Sequence, residues 1–291
     1  TDDRPTLFVR RFTVLDFARV GESGFEGESL YVDAELYGDL DDRGFLMDFG
    51  PVKKLLKRVV DEELDHRFAV PTHDPRVKVE SAGDRIRVRV APVLDYEAPA
   101  QAFALLPSVD DAAICEFLRE RMLQCVPANV SDIRLRLQPE DGVNGRANFR
   151  YTHGLKLHDG NCQRLIHGHR NIIEVFLDGR VNTSAEKHLA ELLHDIHFTN
   201  VDDLETARPL EQCFGSEQPV SISYESDQGR FRATFSERKL LALGSEPTIE
   251  NIAGFARRWV AKELSVNEDR VTVRAYEGIH KGARAGRGFT T

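Results

Sequence analysis

The chain has 291 residues, 41% of them hydrophobic and 30% charged, and a net charge of −9. That length suits two globular domains, each with its own core. The acidic balance argues against nucleic acid or an anionic membrane surface as partner, because both call for clustered basic residues. No window approaches the ~18 apolar residues that a membrane helix needs, and the opening "TDDRPTLFVRRF" lacks the apolar core of a secretory signal. Cys115, Cys125, Cys162 and Cys213 form neither a C-x-x-C pair nor a disulfide framework, so a reducing, cytoplasmic setting is expected.

In chain order, the strand-like "FEGESLYVDAELYG" (25–38) leads into "DFGPVKKLLKRVVDEEL", whose apolar residues fall three and four apart as in a helix. An alternating hairpin, "RVKVESAGDRIRVRVAPV", turns at a glycine-containing polar tip. A second helix follows a proline in "PSVDDAAICEFLRERM", with acidic residues in its first turn, and "DIRLRLQ" closes the set as a strand. The same order then recurs as "IHGHRNIIEVFLDG" (166–179), "SAEKHLAELLHDI", "PVSISYESDQGRFRATFS", "PTIENIAGFARRWVAKEL" and "RVTVRAY". A shift of 141 positions lays Gly27 on Gly168, Leu36 on Leu177 and Gly38 on Gly179. A period this long indicates a duplicated domain rather than a solenoid. The expected architecture is α+β, with two copies of ββα(hairpin)αβ meeting near "EDGVNGR", as domains 1–142 and 143–291. Each should be an antiparallel sheet with helices on one face.

The second copy carries the chemistry. On a strand, His167 and His169 project to one face, and His153 on a preceding antiparallel strand can come alongside as a third nitrogen. Three histidines from two paired strands suit zinc with one position left open. Cys162 has three readings: a fourth ligand, a buried inert thiol, or a reactive thiol, the last favoured by its polar flanks "DGNCQRL". Under the 141-residue shift, His153, His167, His169 and Cys162 fall on Phe12, Glu26, Glu28 and Gly21, so the first copy lacks the metal set and the thiol. That copy instead has the dipeptide Asp65-His66 at a helix end, able to serve as orienter and base.

These residues resemble the 6-pyruvoyltetrahydropterin and 6-carboxytetrahydropterin synthases, the T-fold (tunnelling fold) pterin enzymes. The resemblance rests on His153, the Cys-x₄-His-Gly-His of Cys162, His167 and His169, the Gly44…Asp48-Phe49 before the first helix, Leu64-Asp65-His66 after it, the "PTIEN" that contains Thr248, and Glu277 in the last strand. It implies a zinc-dependent lyase acting on 7,8-dihydroneopterin triphosphate or a close pterin. His153, His167 and His169 would then hold Zn²⁺, Cys162 would be the proton-abstracting base, and Asp65 and His66 its relay. Glu277 would anchor the pterin ring, with Thr248 beside the substrate and Glu140 a competing anchor. The Cys-to-His spacing lies nearer the 6-carboxy branch, which releases triphosphate and acetaldehyde, than the 6-pyruvoyl branch. A non-catalytic pterin- or purine-binding zinc protein is the alternative from another class. The resemblance further implies sheets that close into a β-barrel by association, here as a homotrimer of six T-fold domains. The basic tail "HKGARAGRGFTT" is expected to be a disordered end.

Overall fold

The computed structural model describes residues 6–207, 211 and 216–288; Cys213 lies outside them. The first half runs β1 (Thr6–Arg19), β2 (Glu26–Gly38), α1 (Phe49–Glu63), β3 (Phe68–Pro71), β4 (Val77–Ala82), β5 (Arg85–Val90), β6 (Leu94–Pro99), β7 (Phe103–Leu106), α2 (Asp111–Leu123) and β8 (Val130–Pro139). The second runs β9 (Asn148–His153), β10 (His167–Leu177), β11 (Arg180–Val181), α3 (Thr183–Leu193), β12 (Ile196–Asn200), β13 (Pro219–Ser226), β14 (Gly229–Ser236), β15 (Leu240–Leu243), α4 (Ile249–Glu263), β16 (Val271–Tyr276) and β17 (Gly282–Ala285). Each α-helix starts on a side-chain cap: Asp48, Asp110, Asn182 and Thr248 each accept a backbone N–H of the first turn. Each then buries one stripe, such as Ile114, Leu118 and Met122 of α2, spaced four apart.

One sheet has the order β7-β3-β1-β2-β8, and its counterpart in the second half has β15-β12-β9-β10-β16-β17. The long central pairs are antiparallel, while β3, β7, β12 and β15 join the edges in parallel. Helices α1 and α2 share one core with the first sheet, and α3 and α4 share another with the second. The two hairpins behave differently from a pair of separate ornaments. Strand β6 of the first half pairs with β14 of the second, giving a single sheet β13-β14-β6-β5-β4. Its apolar face covers a third core, built from Phe68, Tyr96 and Phe103 of one half and Ile166, Phe231 and Phe235 of the other. Burying a side chain of that size is worth about 1.5–3 kcal/mol, so the two halves are held by a shared hydrophobic centre as well as by backbone pairing.

The tail departs from expectation. Residues 282–285 form β17 on the edge of β16, with Ala283 and Ala285 packed against the second core. Small side chains let this segment pair closely where its charge alone suggests a free end.

Gly27 and Gly168, which the repeat aligns, are where the two halves cross. A Cβ on Gly27 would stand 2.1 Å from the Tyr151 carbonyl oxygen and 2.5 Å from the His169 nitrogen; one on Gly168 would stand 2.6 Å from the Gly27 Cα. These neighbours are backbone and cannot swing aside. Gly27→Ala is therefore expected to force β2 and β10 apart, costing at least the ~1–3 kcal/mol typical of overpacking. Thermal melting should show a fall of several degrees, and an unchanged midpoint would refute the crossing.

Candidate active site

Strand register assembles the site. In the β9/β10 pair His153 lies directly opposite His167, and Tyr151 opposite His169, so the three imidazoles share one face. All three are fully buried. His153 Nδ1 meets the Pro247 carbonyl at 2.8 Å, and His167 Nδ1 meets the Arg164 carbonyl at 3.0 Å, so in each ring Nδ1 carries the proton and Nε2 is the free lone pair. None of the three Nε2 atoms has a hydrogen-bond partner among the described residues. Ligand-capable nitrogens of the three lie within 4.8 Å of one another. Unpartnered buried nitrogens are costly unless something else binds them, and convergent neutral imidazoles are what a divalent metal takes. Burial drives His153 down to about 4, and burial with the neighbouring histidines drives His167 well below its ordinary value, so both stay neutral near pH 7.

The first half meets this cluster within the same chain. His66 follows α1 in a left-handed conformation (φ 56°), held by its N–H to the Asp16 carbonyl at 2.7 Å. Its ring centroid lies 4.9 Å from that of His167 and 6.4 Å from that of His169. His66 Nδ1 is 2.5 Å from Asp65 Oδ2, and the His66 ring also hydrogen-bonds Cys162. His66, Cys162 and His167 form a second cluster of donor atoms within 4.8 Å, so the thiol, the Asp-His pair and the three histidines are contiguous. Burial alone would lower the His66 pKa, but the bonds to Asp65 and Cys162 outweigh it and raise it to about 10. Because that lies above the ~6.5 of an unfolded histidine, His66 contributes stability that is full below about pH 6.5 and lost as the pH rises through about 10. Asp65→Asn should pull the His66 pKa down and remove that alkaline dependence. An NMR titration of the ring protons of metal-free protein reads this directly, and an unmoved His66 would exclude the coupling.

Other residues named from the sequence occupy distinct places. Glu277 lies not within a strand, as expected, but just past β16, where it opens the turn to β17. Burial pushes its pKa up, yet the electrostatic pull of His153, His169 and Lys281 outweighs that and holds it below the usual carboxylate range. Glu140, just past β8, sits instead beside His280 at 3.5 Å. Thr248 caps α4, its hydroxyl oxygen accepting from the Asn251 N–H, next to the Pro247 carbonyl that holds His153.

Several contributors were not apparent from the sequence. The loop bearing Cys162 is fastened by Gln228, which binds Asn161 and Arg164 through its side chain and Gln163 through its N–H, and by the Tyr224 hydroxyl on the Gln163 carbonyl. Asp16 is buried with one oxygen 3.2 Å from His169 Nδ1, and a charged residue inside the apolar run "TVLDFAR" was the only signal for it.

The first half's counterpart of the triad is also visible. Ala18 pairs Gly27 and Arg19 pairs Glu26, as Thr152 pairs Gly168 and His153 pairs His167. The counterpart of His153 is thus Arg19, not Phe12, because the β1–β2 connection is shorter than the β9–β10 connection and a uniform shift fails across it. Glu26 and Glu28 do stand where His167 and His169 stand in the second copy. Arg19 binds Glu28 at 3.2 Å and lies 3.7 Å from Glu26, and Arg150 reaches each glutamate at 3.3 Å. An ion cluster has replaced the imidazoles.

Two similar α+β halves whose side chains together form a cluster of three histidines, a thiol and an Asp-His pair define a duplicated-domain protein. The family model described as 6-pyruvoyl tetrahydropterin synthase matches the chain twice, over residues 25–147 and 142–287, and the chain belongs to that family, as two tandem T-fold domains. A protein of Methanocaldococcus jannaschii described as "Putative 6-carboxy-5,6,7,8-tetrahydropterin synthase" is 33% identical over 93 residues, covering 30% of this chain and 56% of that protein. Among solved structures, the 6-pyruvoyl tetrahydropterin synthase of Plasmodium falciparum matches 48% of this chain and 94% of its own at 18% identity and a TM-score of 0.40. The Plasmodium vivax protein of the same name matches 47% and 99% at 15% identity and a TM-score of 0.37. Membership in the family rests on the double match of the family model. No helix among the described residues is long and apolar enough to cross a membrane.

Proposed function

We propose that the chain is a zinc-dependent lyase of pterin metabolism that converts 7,8-dihydroneopterin triphosphate, or a close pterin, and one water to a 6-carboxytetrahydropterin, triphosphate and acetaldehyde. The observation that carries this is the meeting of three unpartnered, buried Nε2 atoms with the Cys162–His66–Asp65 chain in one pocket. The 6-carboxy product is favoured over the 6-pyruvoyl product by the name of the Methanocaldococcus relative.

In this reading His153, His167 and His169 hold Zn²⁺, which supplies Lewis acidity toward the pterin side-chain oxygens. Cys162 takes the proton from the adjacent carbon. His66, kept cationic by Asp65, stabilises the thiolate that does so, since a free cysteine is only a few per cent ionised at neutral pH. Glu277, an anion beside the histidines, receives the N–H edge of the aminopyrimidine through two parallel bonds. Its position beside the histidines supports it over Glu140, which faces His280.

The test is to incubate zinc-loaded protein with dihydroneopterin triphosphate and identify the fragments. Triphosphate with acetaldehyde is expected, whereas triphosphate alone with a 6-pyruvoyl product would assign the other branch. Full zinc occupancy with no pterin turnover would sink the enzyme reading and favour a binding protein. We also place the chain in a homotrimer, because β8 and β17 end their sheets and six domains would close two rings. Sedimentation at the monomer mass would exclude it.

A further inference from the structure

The three metal-facing histidines differ in what holds them. His153 and His167 give their Nδ1 protons to backbone carbonyls of their own half, those of Pro247 and Arg164. His169 has no such carbonyl: its Nδ1 stands 3.2 Å from Asp16 Oδ1 in the first half, with the N–H not aimed squarely at the oxygen. We infer that Asp16 is the positioning carboxylate of His169, supplied across the interface between the halves, so that zinc affinity depends on how the two halves dock. The inference rests on the three-histidine metal reading proposed above.

Asp16 is held as a positioning group must be. It is only 3% exposed. The Ser29 hydroxyl donates to its Oδ1 at 2.5 Å and the Lys281 ammonium lies 3.2 Å from its Oδ2. Its own N–H binds Asp65 Oδ1 at 3.0 Å, and its carbonyl accepts from the His66 N–H at 2.7 Å, so the same residue sets the place of the Asp65–His66 pair. An acceptor at Nδ1 keeps the proton there and leaves Nε2 as the lone pair facing His153 and His167, as the carbonyls do for the other two rings. A carboxylate does this more strongly than a carbonyl because the bond is charge-assisted.

The duplication offers an internal comparison. By strand register, Asp16 pairs Ser29 as Arg150 pairs Arg170, which makes Arg150 the counterpart of Asp16. Glu28 is the counterpart of His169. Arg150 reaches across to Glu28 at 3.3 Å, much as Asp16 reaches across to His169 at 3.2 Å. The same cross-half contact is therefore made twice, with an acid opposite the imidazole and a base opposite the glutamate. Each near residue has the charge that suits its far partner, which is the pattern expected if the Asp16 carboxylate serves the His169 ring.

The test measures zinc dissociation from the full chain by competition with a chromophoric chelator, alongside the absorption of the cobalt-substituted protein. Asp16→Asn should weaken zinc by ~10–100-fold and shift the cobalt bands. Arg150→Gln, which breaks the counterpart contact, should lower the melting temperature and leave zinc affinity and the cobalt bands unchanged. Folded Asp16→Asn protein that binds zinc as tightly as wild type would overturn the inference, as would equal weakening by both variants. Should Asp16→Asn fail to fold, Ser29→Ala loosens the same carboxylate: weaker zinc binding supports the role and wild-type affinity refutes it. Wild-type protein that takes up no zinc would overturn the metal reading, and this inference with it.

Discussion

On the zinc-lyase reading proposed above, Cys162→Ala protein is expected to retain its zinc and lose turnover by ~10²–10⁴-fold, the usual worth of a positioned proton acceptor. The retention follows from geometry. The three histidines present a complete set of unpartnered Nε2 atoms without the thiol, and their Nδ1 partners are Pro247, Arg164 and Asp16, none of which depends on the Cys162 side chain. The loss follows from what the thiol touches. His66 is bound to Asp65 on one side and to Cys162 on the other, so removing sulfur takes away the proton-accepting end of that chain. Metal analysis and steady-state kinetics on one preparation separate the possibilities. A fall in zinc content would make Cys162 a ligand, since it also lies within 4.8 Å of His167 in the His66 cluster. Full zinc with undiminished turnover would remove it from the chemistry altogether.

The parts of this molecule legible in the sequence are those with a long period or a dense pattern. The helices α1 and α3 declare themselves through apolar residues three and four apart, and α2 and α4 through a preceding proline and an acidic first turn, and the structure places all four on those segments. The histidine triad followed from alternation along one strand plus one cross-strand neighbour, and in the structure His153 and His167 stand directly opposite each other. What stayed hidden was short or non-local. Strands β3, β7, β12 and β15 are four or five residues each, and all but β7, where Leu105 is exposed, are buried on both faces, so they show no clear alternation. The β6–β14 pairing joins residues more than a hundred positions apart, and no local propensity encodes it. Asp16 was hidden for the same reason: its partner His169 lies in the other half. The duplicated glycines were visible as a match between copies, but only the crossing of β2 and β10 explains why neither tolerates a side chain. That crossing also brings the Asp65–His66 pair to the zinc-type triad within one chain.

Removing one histidine should cost more than zinc. His167→Ala is expected to weaken metal binding beyond the ~10–100-fold that an outer hydrogen-bond partner is worth, because it deletes a donor itself. The same pocket sets a pH dependence in metal-free protein. Burial lowers His153 to about 4 and His167 well below its ordinary value, whereas the unfolded chain protonates near 6.5. Between those values the unfolded state binds more protons, so the stability of metal-free protein is full above about pH 6.5 and is lost as the pH falls toward about 4. A bound metal competes with protons for the same Nε2 lone pairs, so zinc-loaded protein should hold its melting temperature to lower pH than chelator-treated protein. Part of the acid slope should persist even when loaded, since His197, with Nδ1 on Thr152, is lowered by burial to about 3 and lies outside the triad. In His167→Ala the difference between the loaded and stripped curves should collapse. Melting curves of wild type that coincide with and without chelator from pH 4 to 7 would show that the triad holds no metal.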